Sequence, residues 1–392
     1  RYGPYRQGNR YLFMPSVISM SPRETKFQTS QNCPLVQANS YIVKTAMDLS
    51  RKKVELLEPP IHFQMGDQKV ARELSAIGRR LGKTVGRVER SVKAARKAQN
   101  SFYANVRWSG METIQNLTKD QKAVVIISRP YNGCDSGVNM GLPQKLRDMG
   151  VIAIPIDMLP LEEKEVSKEN PDMYWRSGQR MQAAAEIVRK NPNLNAIYIS
   201  NFKCGPDSFI NYHIQKQMRG KPYLHLEVDE HSADAGAITR CEAFFDSLEN
   251  VDNTKYVDRP APQYKRKNGG GRVLYIPYMC DHAYALSAAL EHFGAESEVL
   301  PKTDAEALEI GRRHSTGKEC IPYTLTMGDM LKKAASPGFR ADKSTFFMPA
   351  TGGPCRFGQY SSVLRMVLDK MGHHDALIMK TDAEGSYSGF EN

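Results

Sequence analysis

The chain has 392 residues, of which 41% are hydrophobic and 25% are charged, so it is long enough for about two or three globular domains and too apolar for a disordered chain. Its net charge of +11 favours acidic partners such as a CoA or nucleotide phosphate, a nucleic acid or an acidic protein surface. No apolar run reaches the roughly 18 residues of a transmembrane helix, and the seven cysteines follow no secretory signal, so we expect a cytoplasmic protein without a disulfide framework.

The first part of the chain, residues 1–118, is predicted to be an N-terminal segment with a helical region. Tyr11–Pro15 has the pattern of a strand end, and Ser40–Leu49 has a helical pattern. Residues 66–104 are predicted to form one or two long helices. Because the chain opens on Arg1 rather than on a methionine, we expect it to be part of a longer protein.

A basic stretch lies inside this helical region, where only Glu73 and Glu89 offset ten basic residues and apolar residues recur at helical spacing. A solvated face of an amphipathic helix is the first interpretation, because charge runs are usually surface. Docking of an acidic partner is the second. Nucleic acid is the third and is disfavoured, because no aromatic stacking pattern accompanies the charge. The basic residues are Lys69, Arg72, Arg79, Arg80, Lys83, Arg87, Arg90, Lys93, Arg96 and Lys97.

Residues 119–265 are predicted to form a first α/β lobe. Short apolar runs typical of buried parallel strands alternate there with helical patterns. The predicted strands are Ala123–Ile127, Val151–Pro155 and Ala196–Ile199, and the predicted helices include Leu142–Asp148 and Ser177–Arg189. Such alternation favours a doubly wound parallel sheet.

A charged, glycine-rich linker, Lys265–Gly271, is predicted to end this lobe. The same alternation then returns in residues 272–392, the second predicted α/β lobe. Its predicted strands are Val273–Ile276, Ser297–Leu300, Thr345–Met348 and Ala376–Met379, and its predicted helices are Ala283–Phe293 and Asp304–Arg312. The predicted fold class is therefore α/β, with two doubly wound parallel-sheet lobes after a helical N-terminal segment.

Six of the seven cysteines lie in turn-forming sequence, and four of these follow the end of a predicted strand. The carboxyl edge of a parallel sheet is where α/β folds bind ligands. Ordinary packing of unpaired cysteines would favour positions inside strands and helices. The six are Cys33, Cys134, Cys204, Cys280, Cys320 and Cys355. The seventh, Cys241, lies in a helical pattern and is predicted to pack in the interior.

The spacing of these cysteines predicts the kind of metal site. No two of them form the close Cys-x2-Cys pair that structural zinc sites use. Single thiolates from separate loops suit a cluster in a cleft between two lobes, and thiolates are the usual ligands of iron–sulfur clusters. Pro and Gly beside each thiolate bring tight turns and backbone N–H groups near the sulfur, which tunes its potential.

Other catalytic patterns are missing from the sequence, which has neither a phosphate-binding glycine loop nor a zinc-protease motif. The acidic segment Glu227–His231 is polar enough for acid or base chemistry. A surface turn that caps the next helix is the alternative interpretation. His231 and His282 are candidate proton donors, with hydrogen-bonded surface histidines as the alternative, so no catalytic residue is assigned.

Several short segments carry a resemblance to a known family. They are Asn32–Pro34, Arg129–Asp135, Phe202–Phe209, Glu227–His231, Ala235–Arg240, Gly317–Cys320 and Gly353–Tyr360. These segments resemble the 2-hydroxyacyl-CoA dehydratase and benzoyl-CoA reductase family, most closely its large acyl-CoA dehydratase activase-related proteins. The resemblance extends over nearly the whole chain, whose two lobes correspond to the reductase-like part of those proteins.

In that family, cysteines of neighbouring lobes hold a [4Fe–4S] or a double-cubane cluster, which receives low-potential electrons from an ATP-driven activator and reduces an acyl-CoA or another small substrate. The resemblance implies that all six turn cysteines are ligands, namely Cys33, Cys134, Cys204, Cys280, Cys320 and Cys355. It also implies an ATP-hydrolysing activator, upstream in the full-length chain, as the partner. The actin-like ATPase region of the large members has no counterpart in this sequence. A homodimer is a further option, and a membrane partner is not expected.

Three functions therefore stay open at the level of the sequence. The first is an electron-transferring or reductase module with an iron–sulfur cluster. The second is a regulatory or scaffold domain that binds a cluster without turnover. The third is a metal-free docking module that uses the basic stretch and predicts salt-sensitive binding to polyanions.

Overall fold

The computed structural model describes residues 11–20, 27, 29–49, 51, 54–118, 120–229, 231, 234–262, 264, 270–350, 353–381 and, for the backbone alone, 387–388. The chain divides into two compact units, residues 1–187 and residues 188–392. Most of the predicted linker Lys265–Gly271 lies outside the described residues, as does Glu230 of the acidic segment. The predicted division into three segments stays a prediction.

The first unit begins with two small parallel strand pairs around a helix. In chain order its elements are β1 (Tyr11–Phe13), β2 (Ser16–Ser19), α1 (Pro34–Ala46), β3 (Glu55–Leu57) and β4 (Pro60–His62). Strand β1 pairs with β3, and β2 pairs with β4. The proline at the first position of α1 fixes the helical φ where no backbone donor is needed, so the helix starts there.

Two helices follow where the sequence predicts one or two. They are α2 (Asp67–Arg80) and α3 (Val85–Gln115). The break between them contains Gly82, whose φ of +69° is a left-handed conformation that only glycine adopts without strain. Helix α3 packs closely at Gly110, because a Cβ atom there would lie 2.0 Å from the carbonyl oxygen of Met158.

The rest of the first unit has the predicted α/β pattern. Its elements are β5 (Lys122–Ile127), α4 (Pro130–Cys134), α5 (Leu142–Asp148), β6 (Val151–Pro155), α6 (Glu163–Glu169) and α7 (Arg176–Lys190), within which the division between the units falls. Strands β5 and β6 pair in parallel. Residues 123–127 of β5 are fully buried, which explains the continuous apolar run in the sequence.

The second unit opens with another parallel pair. Its elements are β7 (Leu194–Asn201), α8 (Gly205–Met218), β8 (Leu224–Val228) and α9 (Asp234–Leu248), and β7 pairs with β8. Helix α8 buries residues on most of its circumference, including Phe209, Ile210 and His213. A helix buried on most sides has no amphipathic period, and for this reason its sequence did not identify it as a helix.

The remainder of the second unit is a parallel sheet with helical connections. Its elements are β9 (Val273–Ile276), α10 (His282–His292), β10 (Ser297–Val299), α11 (Ala305–Arg313), α12 (Ile321–Ala334), β11 (Ser344–Phe347), α13 (Tyr360–Lys370), β12 (Leu377–Thr381) and β13 (Tyr387–Ser388). The strand order is β10-β9-β11-β12-β13, in which only β13 is antiparallel. Leu274, Ile276, Ala283 and Met379 form an apolar cluster in this sheet region.

The α/β class with parallel sheets is confirmed, and the predicted strands lie within one or two residues of those observed. Among the described residues, no helix combines the length and the apolar character that crossing a membrane requires. A cluster site in a cleft between lobes stays a prediction.

Candidate thiol site of the second unit

Four of the predicted ligand cysteines occupy the same local position, immediately before a helix. Cys33 precedes α1, Cys204 precedes α8, Cys320 precedes α12, and Cys355 precedes a short 3-10 helix, Arg356–Gln359. The backbone is extended at each cysteine and then turns into the helix. A proline at the first or second helical position follows Cys33, Cys204 and Cys320. These turns therefore place thiols at helix N-termini, where unpaired N–H groups favour negative charge.

Three of these thiols, those of Cys204, Cys320 and Cys355, belong to the second unit, which brings their loops together. A Cβ atom on Gly205 would lie 3.1 Å from side-chain atoms of Arg356, so the turns that follow Cys204 and Cys355 adjoin. The sulfur of Cys320 lies 2.7 Å from the hydroxyl oxygen of Tyr360, in the helix that follows Cys355. We call Cys204, Cys320 and Cys355 the thiol site.

An aromatic cluster packs beneath the thiol site. The ring of Tyr360 stacks on Phe209 with a centroid separation of 5.7 Å and an interplanar angle of 10°. Tyr323 meets both rings edge-on, at 5.0 Å from Phe209 and 5.1 Å from Tyr360. All three side chains are buried. Because the rings come from α8, α12 and α13, the cluster fixes the relative positions of the helix starts that carry the thiols.

A buried carboxylate anchors the loop that leads to Cys320. Glu319 is 8% exposed and accepts hydrogen bonds from the Tyr212 hydroxyl at 2.8 Å, the Thr316 hydroxyl at 3.0 Å and the Lys318 backbone N–H at 3.1 Å. Burial raises the pKa of Tyr212, and so does the adjacent Glu319 carboxylate. The phenol therefore stays protonated and remains a hydrogen-bond donor to the carboxylate.

A second buried contact anchors the loop after Cys355. The imidazole Nε2 of His213 lies 3.0 Å from the side-chain oxygen of Gln359. Burial lowers the pKa of His213 to about 3, so the ring is neutral at physiological pH and Nε2 donates to the amide oxygen. Tyr212, at the loop before Cys320, and His213, at the loop after Cys355, therefore each keep one protonation state at neutral pH.

A polar pocket lies beside Cys204. The hydroxyl of Ser200 is 2.8 Å from Nε2 of His225, whose ring stacks on Tyr198. Burial lowers the pKa of His225 to about 4, and nearby Lys318 acts in the same direction. Lys318 forms a 2.6 Å ion pair with Glu227 at the pocket wall. The space inside is about 10 Å³, which is room for one water molecule.

Burial also raises the pKa of Tyr360. The hydrogen bond to Cys320 raises the pKa of Tyr360 further, and so does any negative charge on the Cys320 or Cys355 sulfur. The phenol therefore keeps its proton at neutral pH and can donate a hydrogen bond to the Cys320 sulfur when that sulfur is a thiolate. Of the groups around the thiol site, Tyr360 is the one whose pKa is raised by two cysteines at once.

The remaining predicted ligands lie elsewhere. Cys33 and Cys134 are in the first unit, and Cys134 is the last residue of α4. Partial burial raises the pKa of the Cys134 thiol, and the carboxylate of Asp157 adds to the shift. Cys280 follows β9 in the second unit, and its sulfur lies 3.3 Å from Nδ1 of His282. Cys241 is fully buried in α9, as the sequence predicts.

Within the described part of the chain, no group of three or more His, Cys, Asp or Glu side chains is arranged to hold a metal ion. A site shared by all six predicted ligands therefore stays a prediction. His231 is largely exposed and lies 3.9 Å from Asp229, which fits the interpretation of this segment as a surface turn.

Sequence reasoning missed the aromatic and polar residues that support the thiol site. Phe209 and Tyr360 each follow a cysteine by five positions, and Tyr323 follows Cys320 by three. An aromatic side chain one turn into each helix is the signal that was available, because that position faces back toward the helix start. The pairs Tyr212–Glu319 and His213–Gln359 left no such signal, since the two residues of each pair are distant in sequence.

Comparison with known proteins gives one relation for the first part of the chain. Residues 5–159 match the family model of the CoA enzyme activase uncharacterised domain (DUF2229). No curated protein and no solved structure matches the chain. The match includes Cys33, Cys134 and helix α3 and ends before the second unit, so the predicted reductase-like character of the later residues stays a prediction. Residues 5–159 are thus similar to a domain of CoA enzyme activases, in agreement with the relation to acyl-CoA dehydratase activase proteins that the sequence motifs predict.

Proposed function

We propose that this chain is an iron–sulfur electron-transfer module that works with an ATP-driven activator of a CoA enzyme. The observation that carries the proposal is that the turns after Cys204 and Cys355 adjoin and that the Cys320 sulfur lies 2.7 Å from the Tyr360 hydroxyl, in the helix that follows Cys355. The match of residues 5–159 to a CoA enzyme activase domain supports the activator-related part of the proposal.

The donor set of the thiol site fits an iron–sulfur cluster in its chemistry. Thiolates are the usual ligands of such clusters, and each of these three stands at a helix N-terminus where N–H groups stabilise negative charge. A bound cluster would supply one-electron transfer at low potential. Cys204, Cys320 and Cys355 would hold it, together with ligands from among Cys33, Cys134 and Cys280.

The neighbouring residues of this chain have defined tasks in the proposed function. The Tyr360 hydroxyl donates a hydrogen bond to the Cys320 sulfur, which lowers the electron density on that ligand. The buried aromatic cluster of Phe209, Tyr323 and Tyr360 would shield the Cys320 sulfur from water on the side of Tyr360. Glu319 holds the loop before Cys320 through its hydrogen bonds.

The family relation supports a proposal for the partner and the substrate. An activator that hydrolyses ATP would deliver the electron, and an acyl-CoA or another small molecule would accept it. The polar pocket of Ser200, His225 and Lys318 lies next to Cys204, and its space of about 10 Å³ admits a water molecule rather than such an acceptor. We assign no catalytic residue to this step.

The test is the iron and acid-labile sulfide content of anaerobically purified chain, with its visible spectrum. We expect about four or more irons per chain with matching sulfide. Serine at Cys204, Cys320 or Cys355 should reduce this content strongly. Alanine at Cys241 is the matched control, because that thiol is buried in α9 and should leave the iron content unchanged.

The outcomes separate the competing functions. A chain that holds iron but passes no electrons from a low-potential donor to any acyl-CoA would be a regulatory or scaffold domain. A colourless chain without iron, even after anaerobic reconstitution, would contradict the cluster and leave a docking function. Equal iron loss in the Cys241 control would mean that the serine variants act through folding.

A further inference from the structure

Arg356 is a half-buried cation at the thiol site of the second unit. It directly follows Cys355 and is the first residue of the short 3-10 helix there. A Cβ atom on Gly205 would lie 3.1 Å from the Cδ, Nε and Cζ atoms of Arg356, so this side chain packs on the turn that follows Cys204. Gly205 thus leaves the space in which the guanidinium approaches the start of α8.

The charge of Arg356 also reaches the third cysteine of the site. Burial raises the pKa of Tyr360, whereas the charge of Arg356 acts on this pKa in the opposite direction. The Tyr360 hydroxyl in turn lies 2.7 Å from the sulfur of Cys320. One guanidinium therefore follows Cys355 in the chain, packs on the turn after Cys204, and acts on the hydroxyl that contacts Cys320.

Arg356 differs from two other half-buried arginines of this unit in its partners. Arg365 pairs with Asp369 at 2.7 Å, and Arg272 donates to the carbonyl oxygen of Ser344 at 2.9 Å. Among the residues that the structure describes, no carboxylate or carbonyl group bonds to the Arg356 guanidinium. A cation that loses part of its hydration without gaining a partner is costly, so its surroundings favour an anion.

Asp207 is a carboxylate in the first turn of α8, but it does not neutralise Arg356. It lines the polar pocket together with His225, and no ion pair links it to Arg356. Backbone N–H groups at the start of α8 add their own positive potential to that of the guanidinium. The thiols of Cys204 and Cys355, whose turns this side chain contacts, can bring negative charge here as thiolates.

We propose that Arg356 is the counter-cation of the thiol site, where its fixed charge offsets the negative charge of the thiolates. In a chain with a bound cluster the same charge favours the reduced state, because each accepted electron adds negative charge. Lys318, two residues before Cys320, is already paired with Glu227 at 2.6 Å and contributes less net charge. The redox consequence rests on the proposed function, whereas the effect on the free thiolates does not.

The first test needs no iron. Iodoacetate and iodoacetamide both alkylate a thiolate, but only iodoacetate is negatively charged. The ratio of their rates at one thiol therefore reports the local potential, whatever fraction of that thiol is ionised. Peptide mass spectrometry of the 392-residue chain would measure this ratio at Cys355, which is exposed. At low ionic strength we expect it to fall about threefold in Arg356→Gln and to be retained in Arg356→Lys, which keeps the charge.

Arg340→Gln is the matched control. It removes the same charge from a side chain that is 66% exposed. Arg340 lies shortly before β11, whereas Cys355 follows the other end of that strand. The rate ratio at Cys355 should therefore equal that of the unsubstituted chain. Circular dichroism checks that each variant is folded.

Salt provides a check that needs no variant. In the unsubstituted chain the rate ratio should fall by at least about threefold between about 10 mM and 1 M salt, because the screening length shortens from about 30 Å to about 3 Å. The salt dependence should be weaker in Arg356→Gln. A ratio at Cys355 that ignores salt would contradict a positive potential at this thiol.

The second test is the midpoint potential of the anaerobically reconstituted chain. Arg356→Gln should shift the reduction equilibrium about tenfold toward the oxidised state, which is about 59 mV for one electron. Arg356→Lys should restore the potential, since a lysine supplies the same charge. A structural role of the guanidinium alone would not be rescued by lysine.

The contrary results are distinct. An unchanged rate ratio in Arg356→Gln, or an equal fall in Arg340→Gln, would overturn the proposal. An equal fall in Arg356→Lys would overturn it too, because the guanidinium would then act by packing. So would an unchanged potential in a chain that holds iron. A chain without iron would contradict the proposed function alone, since the alkylation ratio still decides the role of Arg356.

Discussion

The hydroxyl oxygen of Tyr360 lies 2.7 Å from the sulfur of Cys320, although 40 residues separate them in the chain. This contact joins the start of α13 to the start of α12. Because burial raises the pKa of Tyr360, the phenol keeps its proton at neutral pH and is the donor to a Cys320 thiolate. Tyr360 can therefore be replaced to change the electrostatic environment of the Cys320 sulfur while every thiol is kept.

Replacing Tyr360 by Phe should lower the midpoint potential of a reconstituted cluster. A hydrogen bond to a thiolate stabilises the more negative, reduced form. Its loss is worth about 1 kcal/mol, or about 40 mV for one electron. A redox titration followed by electron paramagnetic resonance would measure the shift. Tyr323→Phe, which leaves the Cys320 contact in place, is the control, and equal potentials in all three proteins would contradict this role of Tyr360.

Truncating Phe209 should destabilise the second unit. The side chain is fully buried and packs against Tyr323 and Tyr360, so Phe209→Ala should cost about 3 to 5 kcal/mol of unfolding free energy. Phe293→Ala is the matched control, because that ring is 85% exposed and its loss should be close to neutral. Urea unfolding would measure both. A small effect at Phe209 would mean that the aromatic cluster does not hold the thiol-bearing helices.

Acidification should destabilise the chain through His213. Burial lowers its folded pKa to about 3, below the unfolded value of about 6.5. A lowered folded pKa gives stability that is present above pH 6.5 and is lost as pH falls toward 3. The loss between pH 6.5 and 5 should approach about 2 kcal/mol.

His213→Gln should flatten this dependence, because an amide has no proton to gain in this range. Urea unfolding at pH 7 and pH 5 would compare the two proteins. His231→Gln is the control, because that histidine is 82% exposed at its side chain and should leave the slope unchanged. An unaltered slope in His213→Gln would place the acid sensitivity in other groups.

Two glycines in α3 should respond in opposite directions to alanine. At Gly110 an added Cβ would lie 2.0 Å from the carbonyl oxygen of Met158, so Gly110→Ala must push the helix away and should cost more than about 2 kcal/mol. At Gly86 the nearest neighbour of an added Cβ would be the end of the Arg90 side chain, 3.7 Å away. Gly86→Ala should therefore gain about 0.5 to 1 kcal/mol from helix propensity. Thermal unfolding distinguishes the two, and equal effects would show that the Gly110 contact is not close.

Local patterns explain why so much of the fold was predictable. Strand β5 and strand β9 were recognised because buried parallel strands are continuous apolar runs. Helix α5 matched its predicted bounds, Leu142–Asp148, because an amphipathic pattern with a proline in its first turn follows Gly141. Helix α8 was missed, because it is buried on most sides and its sequence carries no period.

The sequence by itself determined that the chain is α/β with parallel strands and that Cys33, Cys204, Cys280, Cys320 and Cys355 lie outside helices and strands, since these are properties of neighbouring residues. For Cys134 the prediction of a turn was wrong, because this residue is the last of α4. Only the tertiary structure decided that Tyr360 meets Cys320, that Gly205 leaves room for Arg356, and that His213 meets Gln359. Each of these pairs joins residues far apart in the chain. Such contacts depend on how the helices pack on the sheet, and packing is a property of the whole core rather than of any short segment.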